Sequence, residues 1–231
     1  MIVQERVAIG IGELQRPAEN VVRGDYTTVE GNELPTILEY AEKAGLSTGV
    51  VSTARITHAT PAACYAHSAE RDWEADSNLT PEALAAGFPD IARQLIEFPY
   101  GDGLEVALGG GREYFWPETD ADPEDADAVG RRTDGRNLTH EWASKPESAF
   151  VWNQAQFDAI DPASTKHLLG LFERSHMEYE ADRATDTAGE PSLTQMTRKA
   201  IEVLSQNPRG YFLMVEAGRI DHAHHAGNAR R

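Results

Sequence analysis

The strongest chemical signal in this sequence is a group of candidate metal ligands close to residue 220. Two carboxylates and three imidazoles fall within ten residues: Glu216, Asp221, His222, His224 and His225. Carboxylate oxygen and imidazole nitrogen together suit zinc, and magnesium accepts all-oxygen ligand sets. The spacing of Asp221 and His225 places them one turn apart if this segment is helical. The pattern therefore predicts a metal site, and its simpler alternative is an acidic surface loop with ordinary histidines.

The elements around these residues predict an α/β fold with a parallel sheet. Helices are predicted at about 34–44 and 195–205, and strands at 47–53, 104–108 and 210–215. These predictions rest on apolar residues at helical spacing, on β-branched runs and on glycine stops. Helices that alternate with strands are typical of parallel sheets, in which ligands bind at the carboxyl ends of the strands. The ligand-rich segment therefore begins where such a site is expected.

Length and composition limit the class of protein. With 231 residues and 40% hydrophobic content the chain can form one sizeable core, and no repeat or linker divides it, so residues 1–231 are predicted to be a single domain. The stretch at about 116–135 is rich in Asp, Glu and Pro and is predicted to be an acidic surface excursion.

The net charge of −17 argues against nucleic-acid binding. No apolar run approaches the roughly 20 residues of a membrane span, and the single cysteine, Cys64, excludes an intrachain disulfide.

Five segments, in order along the chain, resemble the alkaline phosphatase family. They are residues 33–39 (ELPTILE), 52–63 (STARITHATPAA), 108–115 (LGGGREYF), 167–173 (HLLGLFE) and 215–225 (VEAGRIDHAHH). The resemblance implies a three-layer α/β/α fold with a mostly parallel sheet, incomplete relative to the family. It also implies hydrolysis of phosphate monoesters by a zinc- and magnesium-dependent mechanism that passes through a phosphoserine.

The resemblance also implies roles for individual residues. Thr60 and Glu216 correspond to two ligands of a magnesium ion. Asp221 and His225 correspond to two ligands of one zinc ion. Arg71 corresponds to the guanidinium that binds the substrate phosphate, and its planar fork matches two phosphate oxygens better than a lysine would.

Two further sets of residues follow from the same resemblance. His58 and His222 correspond to side chains that surround the metal ligands and tune them. A surface calcium site occurs in part of the family, and its counterparts here are the side chains of Glu124, Glu173 and Glu190 and the carbonyl of Phe172.

Several of these assignments have simpler alternatives. Arg71 stands between Glu70 and Asp72 and could form an exposed ion pair of little energetic value. Thr60 could serve only as a helix cap. The run 109–111 is predicted to be a tight turn rather than a phosphate-binding loop, because nothing like the lysine of a P-loop follows it.

The family reaction also needs residues whose motifs this sequence does not contain. These are a nucleophilic serine within Asp-Ser-Ala, a later Asp-His pair and a final histidine. We therefore expect a central fragment of such an enzyme, from a gene fragment or a frame-disrupted copy, that is inactive or nearly so by itself. The alternative function is a non-catalytic zinc-binding protein. The resemblance further implies a periplasmic or extracellular location, although no signal peptide is visible, and homodimers; outer strands missing from the sheet predict an exposed edge.

Overall fold

Five parallel strands form the centre of the computed structural model, which describes residues 20–228. In chain order they are β1 (Ser47–Arg55), β2 (Val106–Gly110), β3 (Ser148–Val151), β4 (His167–Leu171) and β5 (Tyr211–Glu216). They lie in the order β3-β4-β2-β1-β5, and each neighbouring pair is parallel. The carboxyl ends of β1 and β5 therefore lie side by side.

Eight α-helices connect and cover these strands within residues 20–228. They are α1 (Ile37–Lys43), α2 (Ala59–Ala62), α3 (Pro81–Ala85), α4 (Ile91–Ile96), α5 (Leu138–Ala143), α6 (Gln154–Ala159), α7 (Leu193–Leu204) and α8 (Gly218–His225). Short 3-10 helices lie at Tyr26–Thr28, Asp76–Asn78, Arg112–Tyr114, Pro162–Ser164 and Arg183–Thr185. No helix in this part of the chain has both the length and the apolar character needed to cross a membrane.

Two apolar clusters cover the two faces of the sheet. Because successive strand residues point to opposite faces, Val50 and Val51 of β1 enter different clusters. Val50 belongs to the cluster that contains Leu95 of α4 and Trp142 of α5. Val51 belongs to the cluster that contains Leu204 of α7. The predicted three-layer α/β/α fold with a parallel sheet is thus confirmed.

The first helix begins later than its apolar pattern predicts. α1 begins at Ile37, not near Leu34, because Thr36 is extended and its hydroxyl accepts the backbone N–H of Glu39 at 3.0 Å. A hydroxyl in this position satisfies one of the N–H groups that a helix start leaves without a partner.

The glycines after residue 108 have a different role from the predicted one. Gly109 and Gly110 belong to β2, so the prediction that they form a tight turn is wrong. A Cβ on Gly110 would lie 2.1 Å from the carbonyl oxygen of Ser175, so only glycine fits there. The turn itself is at Gly111, whose φ of 98° favours glycine.

The acidic stretch at 116–135 contains no regular helix or strand and is mostly exposed. Two isolated bridges, Pro117 with Arg132 and Ala121 with Val129, shape it. The Arg132 side chain is nevertheless fully buried and pairs with Asp90 at the start of α4. Arg112, whose side chain is also fully buried, pairs with Asp122 of the same stretch. Two buried cations therefore anchor this surface excursion in the interior.

Within residues 20–228, β5 is an edge strand of the sheet, as the predicted exposed edge requires. Tyr211 and Val215 of this strand are 38% and 43% exposed. The edge thus presents apolar side chains next to backbone groups that no other described strand pairs.

Candidate metal and phosphate site

The predicted magnesium and zinc ligands lie at or just beyond the carboxyl ends of β1 and β5. Glu216 is the last residue of β5, and Asp221 and His225 follow in α8. After β1 the chain passes through His58 into α2, which contains Thr60. Because β1 and β5 are parallel neighbours, both segments leave the sheet at the same edge, where α/β proteins bind ligands.

Glu216 lies at the boundary between β5 and β1. The hydroxyl of Ser52 donates a hydrogen bond to Oε2 of Glu216 at 2.6 Å. Burial raises the pKa of the Cys64 thiol to about 12, and the negative charge of Glu216 adds to this shift. Cys64 follows Thr60 by four residues and α2 packs against β5, so the carboxylate and the Thr60 helix are neighbours. A carboxylate and a hydroxyl are oxygen ligands of the kind that Mg²⁺ prefers.

Asp221 and His225 form an exposed pair on α8. Oδ2 of Asp221 lies 3.5 Å from Nε2 of His225, and the two side chains are 69% and 60% exposed. Two ligand atoms of one tetrahedral zinc ion lie about 3.3 Å apart, given metal–ligand distances near 2 Å. The pair therefore fits half of a zinc site, and the predicted spacing of one helical turn is confirmed.

Three histidines form a compact cluster beside these residues. The ring centroids lie 5.2 Å apart for His58 and His176, 5.5 Å for His58 and His222, and 4.2 Å for His176 and His222. Burial, followed by the charges of nearby arginines, lowers the pKa of His58 to about 3 and that of His176 to about 2. Burial and Arg219 also lower the pKa of His222. All three imidazoles are therefore neutral near pH 7.

His176 is the member of this cluster that the sequence analysis missed. It follows β4 by five residues, so its position after a parallel strand was the signal that could have indicated it. The other two histidines come from the ends of β1 and β5. The sheet order brings the three segments together, and no spacing along the chain reveals that order.

Arg55 contacts both ring nitrogens of His176 and so limits what the histidine cluster can bind. The backbone N–H of Arg55 donates to Nδ1 of His176 at 3.1 Å, and Nη1 of the Arg55 guanidinium lies 2.6 Å from Nε2 of the same ring. Both nitrogens of His176 thus face donors, whereas a neutral imidazole has only one lone pair to offer. Although one ring nitrogen of each histidine lies within 4.8 Å of the others, the cluster is better suited to accept hydrogen bonds from arginines than to bind a metal with three histidines.

Arg71 reaches this cluster from the loop after α2. Its Nη2 lies 2.9 Å from Nε2 of His58, and its side chain is 26% exposed. Neither neighbouring acid forms a close ion pair with the Arg71 guanidinium. Asp72 lies 4.0 Å from it, and Glu70 pairs with Arg23 at 2.6 Å. The guanidinium is thus positioned by a neutral imidazole, and its positive charge remains available for an anion.

A second group of carboxylates lies beyond the ends of β2 and β4. One carboxylate oxygen from each of Glu124, Glu173 and Asp186 lies within 4.8 Å of the other two. Glu190, which was predicted here, accepts the backbone N–H of Glu178 at 3.2 Å beside this group. Oδ2 of Asp186 and Oε1 of Glu190 are buried and have no hydrogen-bond partner among residues 20–228. Three close carboxylates and partnerless buried oxygens suit a cation with many oxygen ligands, such as Ca²⁺.

The electrostatics of this carboxylate group are unfavourable without a cation. Burial, with the negative charges of its neighbours, raises the pKa of Glu173 and that of Glu190 to about 8. Burial raises the pKa of Glu124 as well, against the opposing effect of Arg112. Asp186, which the sequence analysis missed, lies 13 residues after Glu173 in an irregular segment without a motif. The ring of Phe172, whose carbonyl was predicted to join the site, packs against Phe157 with centroids 5.6 Å apart.

Comparisons with known proteins agree on one family. The family model described as alkaline phosphatase matches residues 7–231. The tissue-nonspecific alkaline phosphatase of Felis catus is 47% identical over 216 residues, which are 90% of this chain and 40% of that protein. The crystal structure of Thermus thermophilus alkaline phosphatase has a TM-score of 0.67 and 32% identity, covering 92% of this chain and 39% of that one. A mutant of the enzyme from the Antarctic bacterium TAB5, solved with Mg bound in its M3 site, has a TM-score of 0.54 at 27% identity, covering 85% of this chain and 46% of that one. The chain thus spans about 40% of the length of the curated relatives it matches.

Proposed function

The chain belongs to the alkaline phosphatase family, and from this premise we propose that it supplies part of the active site of a metal-dependent phosphate monoester hydrolase. The observation that carries the proposal is the convergence of Arg71, Glu216 and α8 at one edge of the sheet. A guanidinium for phosphate and two kinds of metal ligand meet there. No other part of residues 20–228 combines these three features.

The proposed roles follow from the chemistry of each side chain. Thr60 and Glu216 hold magnesium through oxygen, and Asp221 and His225 hold zinc. Arg71 binds two oxygens of the phosphate and is oriented by His58. Bound metal ions supply Lewis acidity, which activates an attacking oxygen and stabilises a leaving one.

By itself, the 231-residue chain is proposed to bind metal but to hydrolyse little or no ester. A pair of metal ions flanking the phosphate is what stabilises both the attacking and the leaving oxygen in this chemistry. Asp221 and His225 provide two ligands of one zinc ion, and we assign no ligands of a second zinc ion among residues 20–228. A longer protein of this family is proposed to act outside the cytoplasm on phosphate monoesters and to form homodimers.

A non-catalytic zinc-binding protein is the second candidate, favoured by the exposure of the ligand pair. Asp221 and His225 are both more than half exposed, and His224 beside them is exposed as well. Such a pair could bind zinc without enclosing a substrate. Hydrolysis of a phosphate monoester, and not zinc binding, distinguishes a phosphatase from a non-catalytic zinc-binding protein.

Zinc binding and ester hydrolysis should be measured on the same preparations. We expect zinc binding by the parent chain, loss of one zinc equivalent in Asp221→Ala, and little hydrolysis of a chromogenic phosphate monoester with zinc and magnesium at alkaline pH. Asp158→Ala removes an exposed carboxylate of α6, a helix distant in sequence from Asp221, and serves as the matched control. Turnover that Asp221→Ala abolishes would show that the chain is catalytically complete. Zinc binding unchanged in Asp221→Ala would refute the zinc assignment.

Calcium is proposed as the ion of the second carboxylate group, with Asp186 joining Glu124 and Glu173. The raised pKa values of Glu173 and Glu190, about 8 against an ordinary value near 4.5, mean that the folded protein binds more protons than the unfolded chain between these pH values. Glu173 and Glu190 therefore contribute most to the stability of the metal-free protein below pH 4.5, and their contribution is lost as the pH rises through about 8. Calcium should reverse that loss, because the ion compensates the carboxylate charges.

The measurement is thermal unfolding from pH 5 to pH 9, with calcium or with a chelator. We expect the melting temperature to gain most from calcium at pH 9. Asp186→Asn should reduce that gain and should stabilise the chelated protein at the same pH. Glu118→Gln, an exposed carboxylate in the same excursion, should change neither. An equal effect of calcium at pH 5 and pH 9 would contradict the proposal.

A further inference from the structure

Two hydroxyl groups at the end of β1 contact the segment that carries the proposed metal ligands. Ser52 donates to Oε2 of Glu216 at 2.6 Å. Oγ1 of Thr53 accepts the backbone N–H of Arg219, in the first turn of α8, at 3.1 Å. Ala217, the residue before α8, offers no side-chain cap, so the Thr53 hydroxyl satisfies a helix-start N–H that lacks a partner in its own helix.

The direction of the Ser52 hydrogen bond is determined by a third group. The backbone N–H of Ala54 donates to Oγ of Ser52 at 2.9 Å. A hydroxyl that already accepts a hydrogen bond has its own proton free to donate, so the proton points to the Glu216 carboxylate. Ser52 is fully buried, and water therefore does not compete for either contact.

The backbone around Glu216 leaves the carboxylate little freedom. Ser52 and Glu216 are register partners on the parallel strands β1 and β5. Gly218, at the start of α8, approaches β1 closely, since a Cβ there would lie 2.9 Å from Cβ of Ala54 and 3.1 Å from Oε2 of Glu216. The hydroxyl engages Oε2, so Oε1 is the oxygen left for a metal ion.

We propose that Ser52 is a positioning residue that orients the Glu216 carboxylate toward the magnesium ion. This inference rests on the proposed function, because it takes Glu216 as a magnesium ligand. Hydrogen-bond partners of metal ligands keep them in the orientation the metal requires, and their removal typically weakens metal binding 10- to 100-fold. Ser52 is such a hydrogen-bond partner of Glu216, although the two residues are 164 positions apart in the sequence.

The test is binding of Mn²⁺, which stands in for Mg²⁺ and is followed by the electron paramagnetic resonance signal of the free ion. The parent chain should bind Mn²⁺, and Glu216→Gln should remove the binding event that belongs to this site. Ser52→Ala should raise the dissociation constant of that event by about 10- to 100-fold. Zinc binding through Asp221 and His225 should stay as in the parent, which separates a positioning role from a general loss of structure.

Ser47→Ala is the matched control. Ser47 is a buried serine on the same strand, and its hydroxyl accepts a hydrogen bond from Asn207 at the opposite end of the sheet. Each alanine variant loses the hydrogen bonds of one buried serine on β1, so their metal-free melting temperatures should fall to a similar degree. Only Ser52→Ala should lose Mn²⁺ affinity.

Two results would overturn the inference in distinguishable ways. Equal Mn²⁺ affinity in Ser52→Ala and the parent would show that the hydroxyl does not position the ligand, while leaving the magnesium assignment intact. A parent chain whose Mn²⁺ binding is unaffected by Glu216→Gln would refute the magnesium assignment itself, and the proposal about Ser52 with it.

Discussion

Replacing Arg132 with methionine should lower the free energy of unfolding by about 3–5 kcal/mol, as expected when one partner of a buried ion pair is removed. The Arg132 guanidinium is fully buried and contacts two oxygens of Asp90, at 2.9 and 3.0 Å, and both oxygens of Asp134. Asp76, also buried, lies 3.8 Å away. Methionine fills part of the volume but leaves these carboxylates without a cation, so most of the cost is uncompensated negative charge.

The cost of this substitution should depend on pH. Burial already raises the pKa of Asp90 above its ordinary value, and Arg132 opposes that shift. Without Arg132 the pKa of Asp90 should rise further, and protonation should then relieve the buried charge. The loss of stability, measured by denaturant unfolding, should therefore be smaller at pH 5 than at pH 8.

Arg93→Met provides the matched control for this prediction. Arg93 lies on α4 and pairs with Glu97 four residues later, and the two side chains are 35% and 41% exposed. An exposed pair of this kind contributes about 0.3–0.5 kcal/mol. A loss below about 1 kcal/mol for Arg132→Met at pH 8 would show that the stability of the fold does not depend on the buried charge of Arg132.

Replacing Arg71 with alanine should weaken the binding of inorganic phosphate to the zinc-loaded chain by about 10- to 100-fold, which corresponds to loss of charge-assisted hydrogen bonds. Arg71 places a positive charge beside His58, and within residues 20–228 its ion-pair contact is the one to Asp72 at 4.0 Å. Lysine at this position should recover only part of the affinity, because it offers a point charge instead of a planar fork. Isothermal titration calorimetry with phosphate provides the measurement.

Arg93→Ala, in which an arginine of similar exposure is lost from α4, should leave phosphate affinity unchanged. Zinc content should be determined in each variant, so that a loss of phosphate affinity is not a loss of metal. Equal phosphate affinity in Arg71→Ala and Arg93→Ala would refute the assignment of Arg71, and it would favour the exposed ion pair as the role of this residue.

Local patterns were sufficient for much of the fold. Apolar periodicity predicted α1, α7 and β5 to within a few residues, because burial of one face imposes that periodicity on the sequence. Boundaries were less accurate where one side chain decides them. Thr36 starts α1 later than the apolar pattern suggests, and close contact with Ser175 keeps Gly110 within β2 and out of a turn.

The candidate site was predictable only as far as motifs extend along the chain. Glu216, Asp221 and His225 stand in one short segment, and their types and spacing already predicted a metal site. His176 and Asp186 carry no motif, although the structure places them beside the predicted residues. Glu190 was predicted to belong to the carboxylate group, and it lies beside that group, where its Oε2 accepts a hydrogen bond from the backbone N–H of Glu178.

The sequence by itself determined the α/β class, the family resemblance and the helical pairing of Asp221 with His225, because each is recognised from short segments whose own residues are close together along the chain. Only the tertiary structure decided that Ser52 meets Glu216, that Arg132 is buried under an acidic surface segment, and that His176 joins His58 and His222. These contacts join segments up to 164 residues apart. They depend on the order and register of parallel strands, which follow from packing the whole core and which no local pattern contains.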